Sequence, residues 1–375
     1  MSPLAVEQPD RNELVPPVAE GILRSGRDSV DQPWEALAVH LHEAGLSVDP
    51  QWQPRQFAGG YGNLNYLLRI DDAWAVLRRP PPGKLPKGAN DMGREHRVLR
   101  VLAPAWHLAP RALYFTDDVS ILGVPFLLSE CREGQPLHGT DPLGDVGMPE
   151  DLACDLSTLQ VQILGSLHNL DIDAIGAETL GRREDFAART LRGWTTRLEG
   201  GGTAPPKSAR QLFDWLCVQS PADRRRAVIH NDFKLDNVLV DPADPLQPTA
   251  VLDWDMSTLG SPFFDLGTLL SYWIAPSDPA PLQGINLTHS QSPGALSRRE
   301  LVDAYVAATG FDTTSDEQDI RFFAALAVAK LGVICIQLYD RFLRDPDANQ
   351  RNEKFGAAIE AAFELGLSVA DGEVL

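Results

Sequence analysis

The segment Val228-Ile-His-Asn-Asp-Phe-Lys-Leu-Asp-Asn-Val-Leu-Val240 constrains this chain more than any other. It sets His230, Asp232 and Asn237 in a polar stretch bracketed by apolar, β-branched residues, the pattern of a loop between two short strands. Further on, the apolar run Ala250-Val-Leu252 leads into Asp253-Trp-Asp255. A hairpin between the two runs returns the Asn237 amide and the Asp253 carboxylate to one point. An amide oxygen plus a carboxylate is a sparse ligand set suited to Mg²⁺, which keeps waters and takes its other ligands from phosphates. Asp232 then faces an incoming hydroxyl as general base or orienting group, the arrangement of phosphoryl transfer. His230 and Asp232 are the candidate catalytic pair; Asn237 and Asp253 are the candidate metal ligands. If the strand stays extended, Asp255 shares a face with Asp253, as a second metal contact or as half of a structural ion pair. Taken alone, His-x-Asp is also a turn whose polar side chains satisfy their own backbone. Asn237, Asp253 and the flanking strands favour the chemical reading.

The rest of the chain changes character along its length. Residues 1–30 are Pro-rich with no apolar core of a signal sequence, and are expected to form a loose tail. A helix is expected from Trp34, capped by Asp31, carrying Leu37, Val39 and Leu41, and stopped at Gly45. Tyr66–Ile70 and Ala73–Leu77, separated by Asp71-Asp72, predict a hairpin. A helix over 93–102 and strands near 112–115 and 124–130 follow. Beyond about Pro149 the pattern is mostly helical. The fold class is therefore α+β, with a small β-rich lobe at 31–130 and a larger, mainly helical lobe at 131–375. The apolar stretch Phe322–Leu338 is interrupted by Lys330 and Gln337, and predicts a buried helix in place of a membrane span.

Phe57-Ala-Gly-Gly-Tyr-Gly-Asn63 places Gly59, Gly60 and Gly62 between candidate strands. Glycine lets backbone N–H groups approach phosphate closely, although a plain turn has the same composition. A kinase-like site also needs a cation on the third strand and a helix Glu to hold it. Arg78 is the cation, with Arg79 beside it as a substitute. Glu95 shares the apolar face of Val98, Leu99 and Leu102, so burial there requires a partner. Arg78, Arg79, Lys84 and Lys87 form a run of cations suited to phosphates.

These motifs resemble the aminoglycoside phosphotransferase family, relatives of choline kinase and the protein kinases. The similarity rests on His-x-Asp-x-x-x-x-Asn at 230–237, Asp-Trp-Asp at 253–255, Ser261-Pro-Phe-Phe-Asp-Leu-Gly267 and Leu167-His168. Val76–Lys84 and Arg94–Arg100 are similar to the branch associated with acyl-CoA dehydrogenases. The resemblance implies a protein-kinase-like bilobal fold and a Mg²⁺- and ATP-dependent kinase acting on a small-molecule hydroxyl. It also implies adenine contacts from the backbone at Glu130 to Arg132, Asn63 as the polar tip of the phosphate loop, and Asp265 as a brace for the catalytic loop. Asp265 is further expected to cap the helix that follows it, and His168 to be a packing residue. The acceptor is expected on the helical lobe beside Ile274–Arg299, with Lys330 and Arg341 as charged candidates. The acceptor expected first is a hydroxyacyl-CoA-type compound, then an aminoglycoside or macrolide; a nucleotide-holding module without transfer is the remaining alternative.

Composition narrows the partners. With 33 Lys+Arg against 52 Asp+Glu, the net charge is −19, which argues against nucleic acid and anionic membrane as partners. The four cysteines lack CxxC or zinc-finger spacing and are expected as buried, reduced thiols of a cytoplasmic protein. Oligomeric state, and the choice between ATP and GTP, are open at this level.

Overall fold

The computed structural model describes residues 16–18, 22–24, 28–58, 62–83, 90–137, 139, 148–182, 185–347 and 349–374. The first sheet is antiparallel and contains β1 (Arg55–Gln56), β2 (Leu64–Ile70), β3 (Ala73–Arg79), β4 (Ala112–Thr116) and β5 (Phe126–Glu130), in the order β1-β2-β3-β5-β4. Asp71 and Asp72 close the β2–β3 hairpin with φ of 48° and 62°, the paired left-handed conformations of a tight two-residue turn that Asp tolerates. That turn fixes the register and sets Asn65 opposite Arg78.

One face of the sheet carries α1 (Trp34–Glu43), whose Leu37 and Leu41 pack on Tyr66, Leu68, Ala75, Leu77 and Phe126. The Asp31 cap does not form: Pro33 occupies the cap position and no side chain caps the helix. Val39 is exposed, so the apolar face of α1 is narrower than expected. Gly45, with φ of 84°, lies just past the helix end as anticipated. Residues 22–24, expected in a loose tail, instead continue the sheet edge. Leu23 bridges Phe57, Arg24 N–H donates to Gln56, and Ala58 N–H donates to Ile22.

The opposite face carries α2 (Met92–Leu102), capped by Asp91, whose carboxylate accepts the Arg94 N–H at 2.9 Å. Met92, Val98, Leu99 and Leu102 belong to the large hydrophobic cluster of the helical part, together with Leu127 of β5. Hydrophobic contact therefore does not divide at residue 130: α2 is part of both layers, because one sheet face is covered by α1 and the other must bury itself against the helical part.

A single-turn α3 (Val119–Leu122) precedes β5. The remaining helices are α4 (Glu150–His168), α5 (Phe186–Glu199), α6 (Lys207–Gln219), α7 (Pro262–Tyr272), a single-turn α8 (Ala280–Gln283), α9 (Arg298–Thr309), α10 (Thr313–Arg344) and α11 (Phe355–Asp371). Two small antiparallel sheets lie among them. β6 (Gln135–Pro136), β8 (Val238–Asp241) and β9 (Asp244–Val251) run in the order β6-β8-β9, and β7 (Ala227–Ile229) pairs with β10 (Thr258–Gly260). The apolar window of α10 has the length and hydropathy of a bilayer span, yet 78% of it is buried within the protein, against α5, α6, α7 and α11. The cysteines are free thiols; Cys335 is buried, Cys131 and Cys154 are half-buried, and Cys217 is exposed, contrary to the expectation that all are buried.

The crossing of α7 and α10 is close enough to exclude a methyl group. A Cβ at Gly267 would stand 2.7 Å from the Phe323 carbonyl and 2.8 Å from Ala324 Cα. Gly267→Ala is expected to destabilise the fold by ~1–3 kcal/mol through overpacking, despite the better helix propensity of Ala. Gly193→Ala in α5 would meet only the mobile end of Arg197, at 3.3 Å, and is expected to be neutral or stabilising by up to about 1 kcal/mol. Urea unfolding of the two variants checks the opposite signs.

Candidate active site

The loop after β7 is held by a carboxylate from α7. Asp265, with no solvent exposure, accepts the backbone N–H groups of His230 and Asn231, each at 2.6 Å. It does not cap α7, whose cap position is Ser261, but the expected bracing contact is present. His168 is a packing residue, bonded to Tyr305 Oη at 2.7 Å and facing Asp265 at 3.3 Å. Asn231 takes a left-handed φ of 70°, its amide donating to the Met256 carbonyl and its carbonyl accepting from Lys330 Nζ at 2.6 Å. This reversal turns the next residue, Asp232, outward.

His230 differs from its expected place in a catalytic pair. It is fully buried, with Nε2 against the Leu252 carbonyl at 2.8 Å and Nδ1 against the Asp232 N–H at 3.3 Å. One tautomer, protonated on Nε2, satisfies both contacts. Both ring nitrogens are committed within the protein, so the ring lies beneath the loop and not on the outward side with the Asp232 carboxylate.

Asp232 is the outward group. Its Oδ2 meets Lys234 Nζ at 3.2 Å, its Oδ1 accepts from the Tyr272 hydroxyl at 3.0 Å, and Lys330 Nζ lies 4.0 Å from Oδ1. Burial alone would raise its pKa, but Lys234, Lys330, His230 and the Tyr272 hydrogen bond together hold it below the usual carboxylate value. Burial and the adjacent Asp232 push the Tyr272 phenol well above its ordinary value, so it remains a donor. Burial lowers Lys330, against the pull of Asp232 and Asp265.

Lys234 and Tyr272 were not singled out as site residues from the sequence. Lys234 sits two residues after Asp232 and was open to notice; Tyr272 carries no local signal. Lys330 was expected in an acceptor wall and instead lies beneath the catalytic loop. A lone cation in an apolar helix signals a buried partner. Arg341 is exposed.

The metal side is built by the β8–β9 hairpin. Val238 pairs with Val251, and Leu252 N–H donates to the Asn237 carbonyl at 2.8 Å, so Asp253 emerges beside Asn237. Asn237 Nδ2 donates to the Asp232 carbonyl at 2.9 Å, which ties its amide to the loop that carries Asp232. The condition for Asp255 to share a face with Asp253 is not met: Asp253 adopts a left-handed φ of 71° and a 3₁₀ turn follows over Trp254–Met256. Asp255 is therefore turned inward, 8% exposed.

Arg78 links the sheet to this turn. Its Nε lies 3.0 Å from both carboxylate oxygens of Glu95, and its Nη2 donates to Asp253 Oδ1 at 2.7 Å. Burial opposes its charge, but Glu95, Asp253 and Asp255 together hold it firmly protonated. The expected Arg78–Glu95 pair is thus present. Arg79 cannot substitute for Arg78, because strand alternation sends it to the α1 face, where it donates to Gln32 and the Pro80 carbonyl. The expected four-cation run is consequently not one patch, and Lys84 and Lys87 lie outside the described residues.

Asn63 joins the phosphate-loop side to the same turn: its Oδ1 accepts from Asn90 Nδ2 at 2.8 Å, and its Nδ2 points at Asp255 Oδ2 at 3.5 Å. Asn90 also donates to the Gly62 carbonyl at 2.7 Å; Gly59 and Gly60 lie outside the described residues. In the connector, the N–H groups of Glu130 and Cys131 already donate to Arg111 and Trp74. The side chain of Arg132 is occupied by the carbonyls of His107 and Thr249.

Three carboxylates, Glu95, Asp253 and Asp255, face one guanidinium. Burial and the adjacent Asp253 and Glu95 charges push the Asp255 carboxyl up to about 7.

The phosphotransferase enzyme family matches residues 53–301. Acyl-CoA dehydrogenase family member 10 of Mus musculus is 29% identical over 352 residues, covering 93% of this chain and 32% of the mouse protein. The chain thus spans about a third of the length of that relative. A candidate aminoglycoside phosphotransferase from Ralstonia eutropha superposes with a TM-score of 0.71 at 24% identity, covering 90% of this chain and 98% of that one. A thermostable mutant of an aminoglycoside phosphotransferase, in ternary complex with AMP-PNP and hygromycin B, superposes with a TM-score of 0.52 at 17% identity, covering 88% of this chain and 99% of its own. At these identities the superpositions show the kinase-like fold.

The raised Asp255 has a measurable consequence. Its ordinary value is 3.8, so between about pH 4 and 7 the folded, metal-free chain binds a proton that the unfolded chain has released. Its contribution to stability therefore falls as pH rises through that window and stays low above it. Asp255→Asn is expected to gain on the wild type over the same interval, most at the alkaline end. Denaturant unfolding in chelator across the window checks this; parallel curves would contradict it.

Proposed function

The chain belongs to the phosphotransferase enzyme family, and from that premise we propose that it is a Mg²⁺- and ATP-dependent kinase of a small-molecule alcohol. The observation that carries the reading is the convergence of Asp232, Asn237 and Asp253 on one loop and hairpin, with the Arg78–Glu95 pair against Asp253. A nucleotide is supported by the fold shared with a phosphotransferase that binds AMP-PNP.

The donor set suits a hard dication. It offers only oxygens, and the buried carboxylates exceed the cations beside them, as the raised Asp255 shows. Asn237 and Asp253 would hold Mg²⁺, which supplies charge neutralisation to the nucleotide phosphates when bound. Arg78 keeps Asp253 oriented and presents its positive charge toward the phosphates. Asp232 accepts the hydrogen bond of the acceptor hydroxyl and aligns its oxygen for in-line attack. Held ionised by two lysines and a phenol, it is a weak base, and its contribution is mainly orientation, consistent with a loose phosphoryl-transfer transition state. As the acceptor oxygen bonds to the γ-phosphorus, the bond from that phosphorus to the β–γ bridging oxygen breaks and ADP leaves with the electron pair, while the hydroxyl proton passes late to Asp232.

A hydroxyacyl-CoA-type compound is the acceptor we place first. Relatives carry acyl-CoA dehydrogenase names, and two ammonium groups flank Asp232. That setting favours an anionic acceptor over a polycationic aminoglycoside. The presence of Asp232, Asn237 and Asp253 together argues against a module that holds nucleotide without transfer.

Asp232→Asn is expected to lower kcat by ~10²–10⁴-fold while ATP binding is kept. Asp253→Asn is expected to weaken Mg²⁺-dependent ATP binding itself. ADP release with a panel of hydroxyacyl-CoAs, aminoglycosides and macrolides, together with calorimetry of Mg-ATP binding, checks both. Full turnover by the Asp232 variant would sink the assignment.

A further inference from the structure

Tyr272 is the last residue of α7 and sends its hydroxyl to Asp232 Oδ1 at 3.0 Å. Its ring is partly buried, and Lys234 Nζ lies 5.5 Å from the ring centroid. The opposite oxygen of Asp232 is taken by Lys234, and Lys330 stands back at 4.0 Å, its Nζ already bonded to the Asn231 carbonyl. The groups facing Asp232 are thus Lys234 and His230 from its own loop, Tyr272 from α7 and Lys330 from α10. Cys335 and Asp236 also face the phenol.

We propose that Tyr272 is a positioning residue for phosphoryl transfer: its hydroxyl fixes the rotation of the Asp232 carboxylate, so that Oδ1 stays turned to the acceptor and does not collapse onto Lys330. This inference rests on the kinase reading above. A carboxylate between two ammonium groups is drawn toward both. A close ion pair on each oxygen would turn the lone pairs away from an incoming hydroxyl. A neutral donor on Oδ1 holds the group by direction without adding a charge, and leaves a second lone pair on that oxygen for the acceptor. Tyr272 reaches this position because it stands seven residues after Asp265, two turns along the same helix face. The helix that braces the loop therefore also orients its carboxylate.

Tyr272→Phe removes the oxygen and keeps the ring. With Mg-ATP and a hydroxyacyl-CoA such as 3-hydroxybutyryl-CoA, or whichever member of the panel the wild type turns over, kcat is expected to fall ~10–100-fold with the KM for ATP unchanged. Loss of a donor to the ionised form should also move the Asp232 titration, followed by carboxyl-carbon NMR, and the acid limb of kcat/KM to higher pH. A structural role alone would move neither limb nor titration. An active wild type matched by Tyr272→Phe in kcat and in both titrations overturns this proposal and leaves the kinase reading intact. A wild type inert toward the whole panel overturns the kinase reading and this proposal with it. A circular-dichroism melt of Tyr272→Phe within a few degrees of wild type shows that the fold is kept, and Tyr272→His, which restores a donor, is expected to recover part of kcat.

Discussion

Asp265 accepts two backbone N–H bonds from the loop that carries Asp232, and the positions of the other groups follow from that contact. A carboxylate buried without solvent is costly unless its oxygens are occupied. Here the N–H groups of His230 and Asn231 occupy them, His168 adds a third neighbour, and the first turn of α7 contributes its positive end. In return, the loop can hold a left-handed Asn231, a conformation that costs ~1 kcal/mol or more unless the surroundings enforce it. Lys330 on the Asn231 carbonyl and Met256 on its amide complete that enforcement. The reversal at Asn231 is what separates the buried His230 from the outward Asp232. Two neighbours in sequence but one residue apart thus have opposite surroundings.

Much of this was legible in the sequence, and the exceptions share a cause. The hairpin at Asp71-Asp72, the helix bearing Glu95 and the pairing of Asn237 with Asp253 follow from local pattern, because strand alternation and helical spacing are short-range rules. The Arg78–Glu95 pair was inferable because an acid on an apolar face needs a partner. What local pattern could not supply was direction. Whether the strand continued past Asp253 was left open by the pattern, and its left-handed backbone turns Asp255 inward. His230 has the residue type of a catalytic group and the burial of a packing one. Tyr272 and Lys330 reach Asp232 from helices 40 and about 100 residues further along the chain. No periodicity encodes a contact at that separation. The pairing of Leu23 with Phe57 is hidden for the same reason, since it depends on a sheet edge that forms elsewhere.

The site is also divided by charge. Around Asp232 the cations prevail, with Lys234 and Lys330 holding the carboxylate below its usual range. Around Asp253, burial and neighbouring acids leave the Glu95 and Asp255 carboxyls raised although Arg78 faces both. Like charges at short range in a poorly hydrated site are weakly screened. On the kinase reading, the imbalance matches the ligand: a dication compensates the acidic side, and the phosphoryl group with an anionic acceptor compensates the basic side. Closing this charge separation is work that the ligands do and the free chain does not. Affinity for the metal-nucleotide and alignment of the hydroxyl then draw on the same electrostatic asymmetry, and a substitution that neutralises one side should be felt on the other through Asn237, whose amide donates to the Asp232 carbonyl and whose backbone carbonyl accepts from Leu252 beside Asp253.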